Sequence, residues 1–206
     1  MPELILLRHG QSNWNLENRF TGWVDIDLSE NGVEEARHAG RKLRGRRIDR
    51  LYTSVLIRAI RTADLALEEA GITDVPTERD QALNERHYGD LQGLNKDEMR
   101  EMHGEEQVHI WRRSFDVRPP GEDAESLEMT IARVLPYYHE KIEPDLLAGK
   151  NVLVVAHGNS LRALSYHLDD HSPESIVRLE IPTGEPIVYR LEGVDGELKV
   201  VERMEL

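Results

Sequence analysis

Two stretches, Leu4-Ile5-Leu6-Leu7-Arg8-His9-Gly10 and Asn151-Val152-Leu153-Val154-Val155-Ala156-His157-Gly158, decide the fold. Leu4–Leu7 and Val152–Ala156 are unbroken apolar runs of strand length, and both runs lead into the dipeptide His-Gly. An unbroken run marks a strand buried on both faces, as in a parallel sheet covered by helices. Helical periodicities fill the space between. Ser29 is placed to cap a helix whose apolar positions Val33, Ala36 and Leu43 recur near helical spacing and which should stop near Gly45. Ile48–Thr53 reads as a second strand, followed by a helix from about Val55 to Ala70 closed by Gly71. A longer helix beginning near Ser126 presents Ile131, Val134, Leu135, Tyr138 and Ile142, and Pro136 should bend it. Another, from about Ser160 to Leu168, follows the second run. Ile187–Leu191 and Leu198–Glu202 flank Gly193-Val194-Asp195-Gly196, the pattern of a hairpin. The expected fold class is α/β: three layers, α/β/α, with a mostly parallel central sheet flanked by helices and a terminal hairpin. We expect one domain over residues 1–206, with a polar cap segment over about 83–125. That segment carries short helices near Lys96–Met102 and Glu105–Ser114.

The composition bounds the function classes. Hydrophobic residues make up 39% of the 206 and charged residues 32%, a globular balance. No apolar run approaches the ~20 residues of a membrane span. Leu4–Leu7 is too short for a signal peptide and has no cationic region before it. With a cysteine count of zero, disulfides and thiolate metal sites are excluded. A cytoplasmic location is the expectation. Lysine and arginine number 26 against 39 acidic residues, a net charge of −13. Such acidity argues against nucleic-acid and anionic-membrane partners, which call for clustered positive charge. It also makes any local gathering of arginines informative.

In open α/β sheets ligands sit beyond the carboxyl ends of the strands. If the two runs are neighbours, His9 and His157 face one another across that crevice. Gly10 and Gly158 would let backbone approach a ligand, and helix starts following each strand favour an anion. Arg8 adjoins His9, and Arg58 lies near the start of the helix after Thr53-Ser54. Guanidinium groups bind phosphate oxygens in pairs. Two histidines and two arginines around one phosphoryl group make a metal-free transfer site, in which fixed cations stabilise the equatorial oxygens. A nucleophilic histidine must be neutral, and neighbouring cations would lower its pKa from about 6.5. Most other histidines, His139 and His167 among them, read as structural or solvated, and no metal-ligand spacing appears.

Arg8-His9-Gly10 resembles the signature of the histidine phosphatase superfamily. The longer series Arg8-His9-Gly10-Gln11-Ser12-Asn13-Trp14-Asn15 and Asn18-Arg19-Phe20-Thr21-Gly22-Trp23 is similar to the bisphosphoglycerate-dependent phosphoglycerate mutases. So are Thr53–Ile60, Leu83–Gly89, Gly93–Lys96, Ile110–Ser114, His157–Arg162 and Ile181–Gly184. The resemblance implies that His9 is the phosphorylated nucleophile, acting through Nε2 with Nδ1–H held by a carbonyl. It implies Glu85 as general acid/base and His157 as the partner that stabilises the group in flight. Arg8, Arg58 and Asn15, with Gly158 and Asn159, would form the phosphoryl pocket. Thr21, Gly22, Arg86, Tyr88, Lys96, Arg112 and Arg113, with Ser12 and His87, would hold the substrate carboxylate and second phosphate. The family's activity interconverts 3- and 2-phosphoglycerate, with 2,3-bisphosphoglycerate as priming donor, no metal, and phosphoglycerates as partners of a monomer or homodimer. The alternative is a phosphomonoesterase of the same superfamily. Retaining a bisphosphorylated intermediate calls for cations outside the reaction centre, and Lys96, Arg112 and Arg113 meet that need. The Asp116–Ser126 segment is shorter than in longer family members, and the chain carries no tail after the hairpin.

Overall fold

The computed structural model describes residues 1–206. In chain order its elements are β1 (Glu3–Arg8), α1 (Asn13–Leu16), α2 (Glu30–Leu43), β2 (Arg50–Thr53), α3 (Ile57–Ala70) and β3 (Thr77–Arg79). Then come α4 (Lys96–His103), α5 (Glu105–Arg113), α6 (Leu127–Tyr137), α7 (Glu143–Leu147) and β4 (Val152–Ala156). The chain ends with α8 (Gly158–Leu168), α9 (Pro173–Ile176), β5 (Ile187–Val194) and β6 (Glu197–Glu205). The strands form one sheet in the order β3-β2-β4-β1-β5-β6. β1 to β4 run parallel, and β5 and β6 add an antiparallel hairpin beside β1.

Successive strand residues point to opposite faces, so each apolar run feeds two cores. Leu4 and Leu6 of β1, with Val152, Val154 and Ala156 of β4, pack under α6 and α8. Ile5 and Leu7, with Leu153 and Val155, pack under α2 and α3. All nine side chains are fully buried, which is why the runs show no polar alternation. A third, smaller cluster of Phe20, Leu91, Met99 and Val108 gives the cap segment an apolar centre of its own.

The helix punctuation acts as read. Ser29 Oγ accepts from Gly32 N at 3.1 Å at the start of α2, and Gly71 closes α3 in the left-handed region. Asp195 and Gly196, both at positive φ, make the two-residue turn between β5 and β6. Elsewhere the boundaries move. β2 starts at Arg50 rather than Ile48, and α3 at Ile57 rather than Val55. The helix expected from Ser160 begins at Gly158, directly at the strand end. Pro136 sits inside α6, and the irregularity takes the form of a π turn over Tyr138–Ile142 that leads into α7. Sequence patterning foresaw neither β3 nor α9. No helix is long and apolar enough to cross a membrane.

Candidate active site

β1 and β4 are parallel neighbours with Arg8 opposite Ala156. The next residue on each chain is a histidine, so the topology brings two distant imidazoles together. His9 N donates to Ala156 O at 3.0 Å, and the ring centroids of His9 and His157 lie 4.9 Å apart, tilted by 60°. Both side chains are buried.

The environment fixes the state of each ring. Nδ1 of His9 lies 2.7 Å from the Gly10 carbonyl, which can only accept, so Nδ1 carries the proton and Nε2 presents its lone pair. Burial holds the His9 pKa well below the usual imidazole value, reinforced by Arg58 and Arg8 and opposed by the Gly10 bond. Cations were expected to do this; burial comes first. His157 is likewise pushed down, by burial and then by Arg58, His9 and Arg8. Its Nε2 meets Ser54 Oγ at 2.7 Å. That oxygen also accepts from Leu56 N at 3.2 Å, which ties His157 to the start of α3. Its Nδ1 is buried without a partner.

Three buried polar atoms around the rings have no partner within the chain: Arg8 Nε, Thr21 Oγ1 and His157 Nδ1. Such groups fit an oxyanionic ligand. Arg8 is held by Nη1 donating to Ile181 O at 2.8 Å. Arg58, almost wholly buried and lowered by that burial to about 10, remains a cation at neutral pH. Its terminal nitrogens donate to Gly22 O at 2.7 Å and Val24 O at 2.9 Å, fixing the loop that carries Thr21. Glu85 Oε1 accepts from Asn159 N at 3.1 Å at the start of α8, and from Arg86 N at 2.8 Å. Asn15 and Ser12 cap α1 reciprocally.

Most of these groups line one cleft, shared by the strand ends and the cap. Its wall includes Arg8, His9, Asn15, Thr21, Gly22, Arg58, Glu85, Tyr88, Lys96, Arg112, Arg113, Gly158 and Asn159. Four expected site residues lie behind the wall: His157, packed against the His9 ring, and three others. Arg86 is fully buried and donates from Nε to Glu125 O at 2.7 Å and from Nη2 to Trp111 O, tying the start of the cap segment to α5 and to the segment's far end. His87 accepts from Gly89 N at 3.0 Å and packs against Trp23, and Ser12 serves as the α1 cap. Gly10 also differs from expectation. A Cβ there would lie 2.2 Å from Gly32 O, so its missing side chain admits the start of α2 rather than a ligand.

The sequence reading gave no role to Arg19, Phe20, Arg162 or Glu180, which complete the wall. Ser54, which orients His157, was also missed. All but Glu180 stood inside motif strings already noticed, and Glu180 directly precedes one. Arg113 pairs with Glu180 at 2.7 Å and Arg162 approaches the same carboxylate at 3.7 Å. Lys96 Nζ lies 5.7 Å from the centroid of the Phe20 ring. Burial and the neighbouring Arg112, Arg8 and Arg100 lower Lys96 to about 8.

Two buried neutral imidazoles ringed by guanidinium groups at the carboxyl edge of a parallel sheet define a protein of histidine-based phosphoryl transfer. Consistent with that, the family model of the histidine phosphatase superfamily (branch 1) matches residues 4–203. Proteins named 2,3-bisphosphoglycerate-dependent phosphoglycerate mutase resemble the chain more closely. One from Bradyrhizobium diazoefficiens is 60% identical over 192 residues, covering 92% of each chain. One from Zymomonas mobilis is 55% identical over 213 residues, covering 93% of each. The Lactobacillus johnsonii mutase 1 is 49% identical, covering all of this chain and 99% of its own. That alignment runs to 231 positions for a chain of 206 residues, so the relative carries inserted residues. The chain belongs to the histidine phosphatase superfamily and, within it, to the family of 2,3-bisphosphoglycerate-dependent phosphoglycerate mutases. Among solved structures, a mycobacterial glucosyl-3-phosphoglycerate phosphatase complexed with VO3 superposes with a TM-score of 0.82 at 26% identity, covering 97% of this chain and 96% of its own. Bacillus stearothermophilus YhfR gives 0.80 at 28% identity, covering 98% and 96%.

Proposed function

We propose that this chain interconverts 3-phosphoglycerate and 2-phosphoglycerate, in glycolysis and gluconeogenesis, as one cytoplasmic catalytic unit with residues of about 83–125 as its cap. One observation carries the reading. The free Nε2 of a neutral His9 opens into a cleft with cations on two sides: Arg8 from the end of β1 and Arg58 from the first turn of α3, Lys96, Arg112 and Arg113 from the cap.

His9 Nε2 forms a bond to phosphorus as the ester oxygen of a priming 2,3-bisphosphoglycerate leaves, and Glu85 supplies the proton that oxygen needs. Glu85 then takes the proton from the C2 hydroxyl of 3-phosphoglycerate as that oxygen attacks phosphorus and the bond to His9 breaks. The bisphosphorylated product turns within the cleft. His9 takes the C3 phosphoryl group, Glu85 returns the proton to the C3 oxygen, and 2-phosphoglycerate leaves. In this reading Arg8, Arg58 and His157, protonated on its unpartnered Nδ1, face the developing charge on the equatorial oxygens throughout. The cap cations hold the far phosphate and carboxylate, and the cap excludes water that would hydrolyse the phosphohistidine. A phosphomonoesterase needs only the sheet-side half of this site. The cap cations and the 49–60% identity to named mutases favour the mutase.

The test is His9→Ala in a coupled assay with and without 2,3-bisphosphoglycerate. The expected outcome is a fall of about 10⁴-fold or more, with loss of the acid-labile phosphoprotein formed from labelled 2,3-bisphosphoglycerate. Undiminished conversion would overturn the mechanism. Inorganic phosphate release exceeding 2-phosphoglycerate formation in the unaltered protein would assign it to the phosphomonoesterases instead.

A further inference from the structure

Away from the cleft, a second cluster of donor groups forms where α6 gives way to α7. The π turn over Tyr138–Ile142 widens the helix, and His139 and Glu143 lie on the same side of it. His139 Nδ1 meets Glu143 Oε2 at 2.7 Å. The last turn of α8 places His167 opposite, its ring 4.9 Å from that of His139 and edge-on to it. One donor atom from each of the three residues lies within 4.8 Å of the other two. Beneath them Tyr138 is fully buried, its ring 5.2 Å from His139 and 5.4 Å from His167. Its hydroxyl has no hydrogen-bond partner. A buried polar group left unpaired calls for an explanation, and an ion or water beside it is one.

We propose that His139, Glu143 and His167 form a binding site for one divalent ion of the zinc class, Zn²⁺, Co²⁺ or Ni²⁺, that staples α8 to the α6–α7 junction. Two imidazoles and a carboxylate are the donor set these borderline ions take, with a fourth position left for water. Around a tetrahedral ion with bonds of about 2.0–2.1 Å, donors sit roughly 3.4 Å apart. The observed spread closes to that by rotation of side chains that are half-exposed in His139 and partly exposed in Glu143. The ion replaces the proton shared between His139 and Glu143, and that proton moves to the other nitrogen as the neutral ring changes tautomer. An i,i+4 His–Glu hydrogen bond would account for two of these residues alone; it gives no reason for a second imidazole to stand edge-on at 4.9 Å. The π-helical turn that carries His139 is a feature often retained at functional sites. His167 lies about 14 Å along α8 from Gly158, so the ion is remote from the phosphoryl pocket and independent of the reading given for it.

The test uses the full chain freed of metal with a chelator. Titration with Zn²⁺ by calorimetry, and with Co²⁺ by its visible absorption, should show one ion per chain with a dissociation constant on the order of micromolar and intense tetrahedral bands. Saturation should raise Tm by about 5 °C. His167→Gln and Glu143→Gln should each weaken binding by at least about tenfold. His38→Gln, an exposed histidine on α2, should leave it unchanged. Circular dichroism confirms that the variants fold, and turnover at 25 °C should be indifferent to the chelator. Absence of binding at 100-fold excess, or equal affinity in the His167→Gln and Glu143→Gln variants, would overturn the proposal.

Discussion

Lys96 is the residue whose protonation reports on the cleft. Its ordinary value near 10.5 is lowered to about 8 by burial and by the arginines around it. Between these values the unfolded chain holds a proton that the folded protein has released. Charging Lys96 therefore weakens the fold below pH 8, and that penalty disappears as pH rises from about 8 to 10.5. Binding runs the other way. A polyanion beside Lys96 favours its charged form, so at pH 8 complex formation should take up about half a proton per site. Calorimetry of 2,3-bisphosphoglycerate binding in two buffers of different ionisation enthalpy measures this directly. We expect uptake near pH 8, weakening affinity above it, and loss of both effects in Lys96→Met. A proton count of zero at pH 8 would place Lys96 away from the bound anion. The imidazoles of His9 and His157 behave as internal neutral groups: burial depresses both, so they stay uncharged at pH 7.

At the scale of elements, the position of His9, the proposed nucleophile, depends on a junction of backbones. The loop after β1 and the first turn of α2 touch through Gly10 and Gly32, with no room for a side chain on either. Gly10→Ala would drive a Cβ into a backbone carbonyl, a contact that no rotamer change relieves. The expected cost is about 1–3 kcal/mol of stability. The loss in turnover should be larger than that suggests, because a displacement of about 1 Å at a reacting group is worth about 10²-fold. Thermal unfolding and kcat measured together check this; an unchanged kcat with a lowered Tm would show that the loop yields without moving His9. The same elements show what a sequence discloses. β1, β4 and the helices over them were legible because burial on both faces removes every polar residue from a strand. β3 was not, since Thr77-Glu78-Arg79 is attached through backbone pairing with β2 at the sheet edge and shows no apolar pattern. Within the site, His9 and His157 could be paired from their matching strand ends. Arg86 could not be told from Glu85, because neighbours in irregular backbone face different ways and motif strings carry no direction. Arg19, Arg162 and Glu180 reach the cleft from separate loops and a helix flank, and only the tertiary arrangement joins them.

The whole molecule sets a problem for its own substrate. A chain of net charge −13 repels a phosphorylated carboxylate at a distance, and attraction begins only where the cleft's cations dominate, within about a Debye length of 8–10 Å. Seven lysines and arginines line that cleft against two carboxylates, Glu85 and Glu180. Glu85 is turned toward the helix start of α8, whereas Glu180 lies at the exposed rim, paired with Arg113 and facing Arg162. If the entering anion engages Arg113, as the proposed function requires, it must take that guanidinium from Glu180, and the rim carboxylate then acts as an internal competitor. Because the Glu180 carboxylate is largely exposed, the pair is screened and its effect is modest. Glu180→Gln should lower KM for 3-phosphoglycerate by about 2- to 5-fold and steepen its rise with salt. Tighter retention of the bisphosphorylated intermediate should also lower the phosphate released per mutase turnover. Initial rates over a range of ionic strengths, with phosphate and 2-phosphoglycerate measured in the same samples, decide the matter. A higher KM in Glu180→Gln would mean that the carboxylate orients Arg113 and Arg162 for the substrate rather than competing with it.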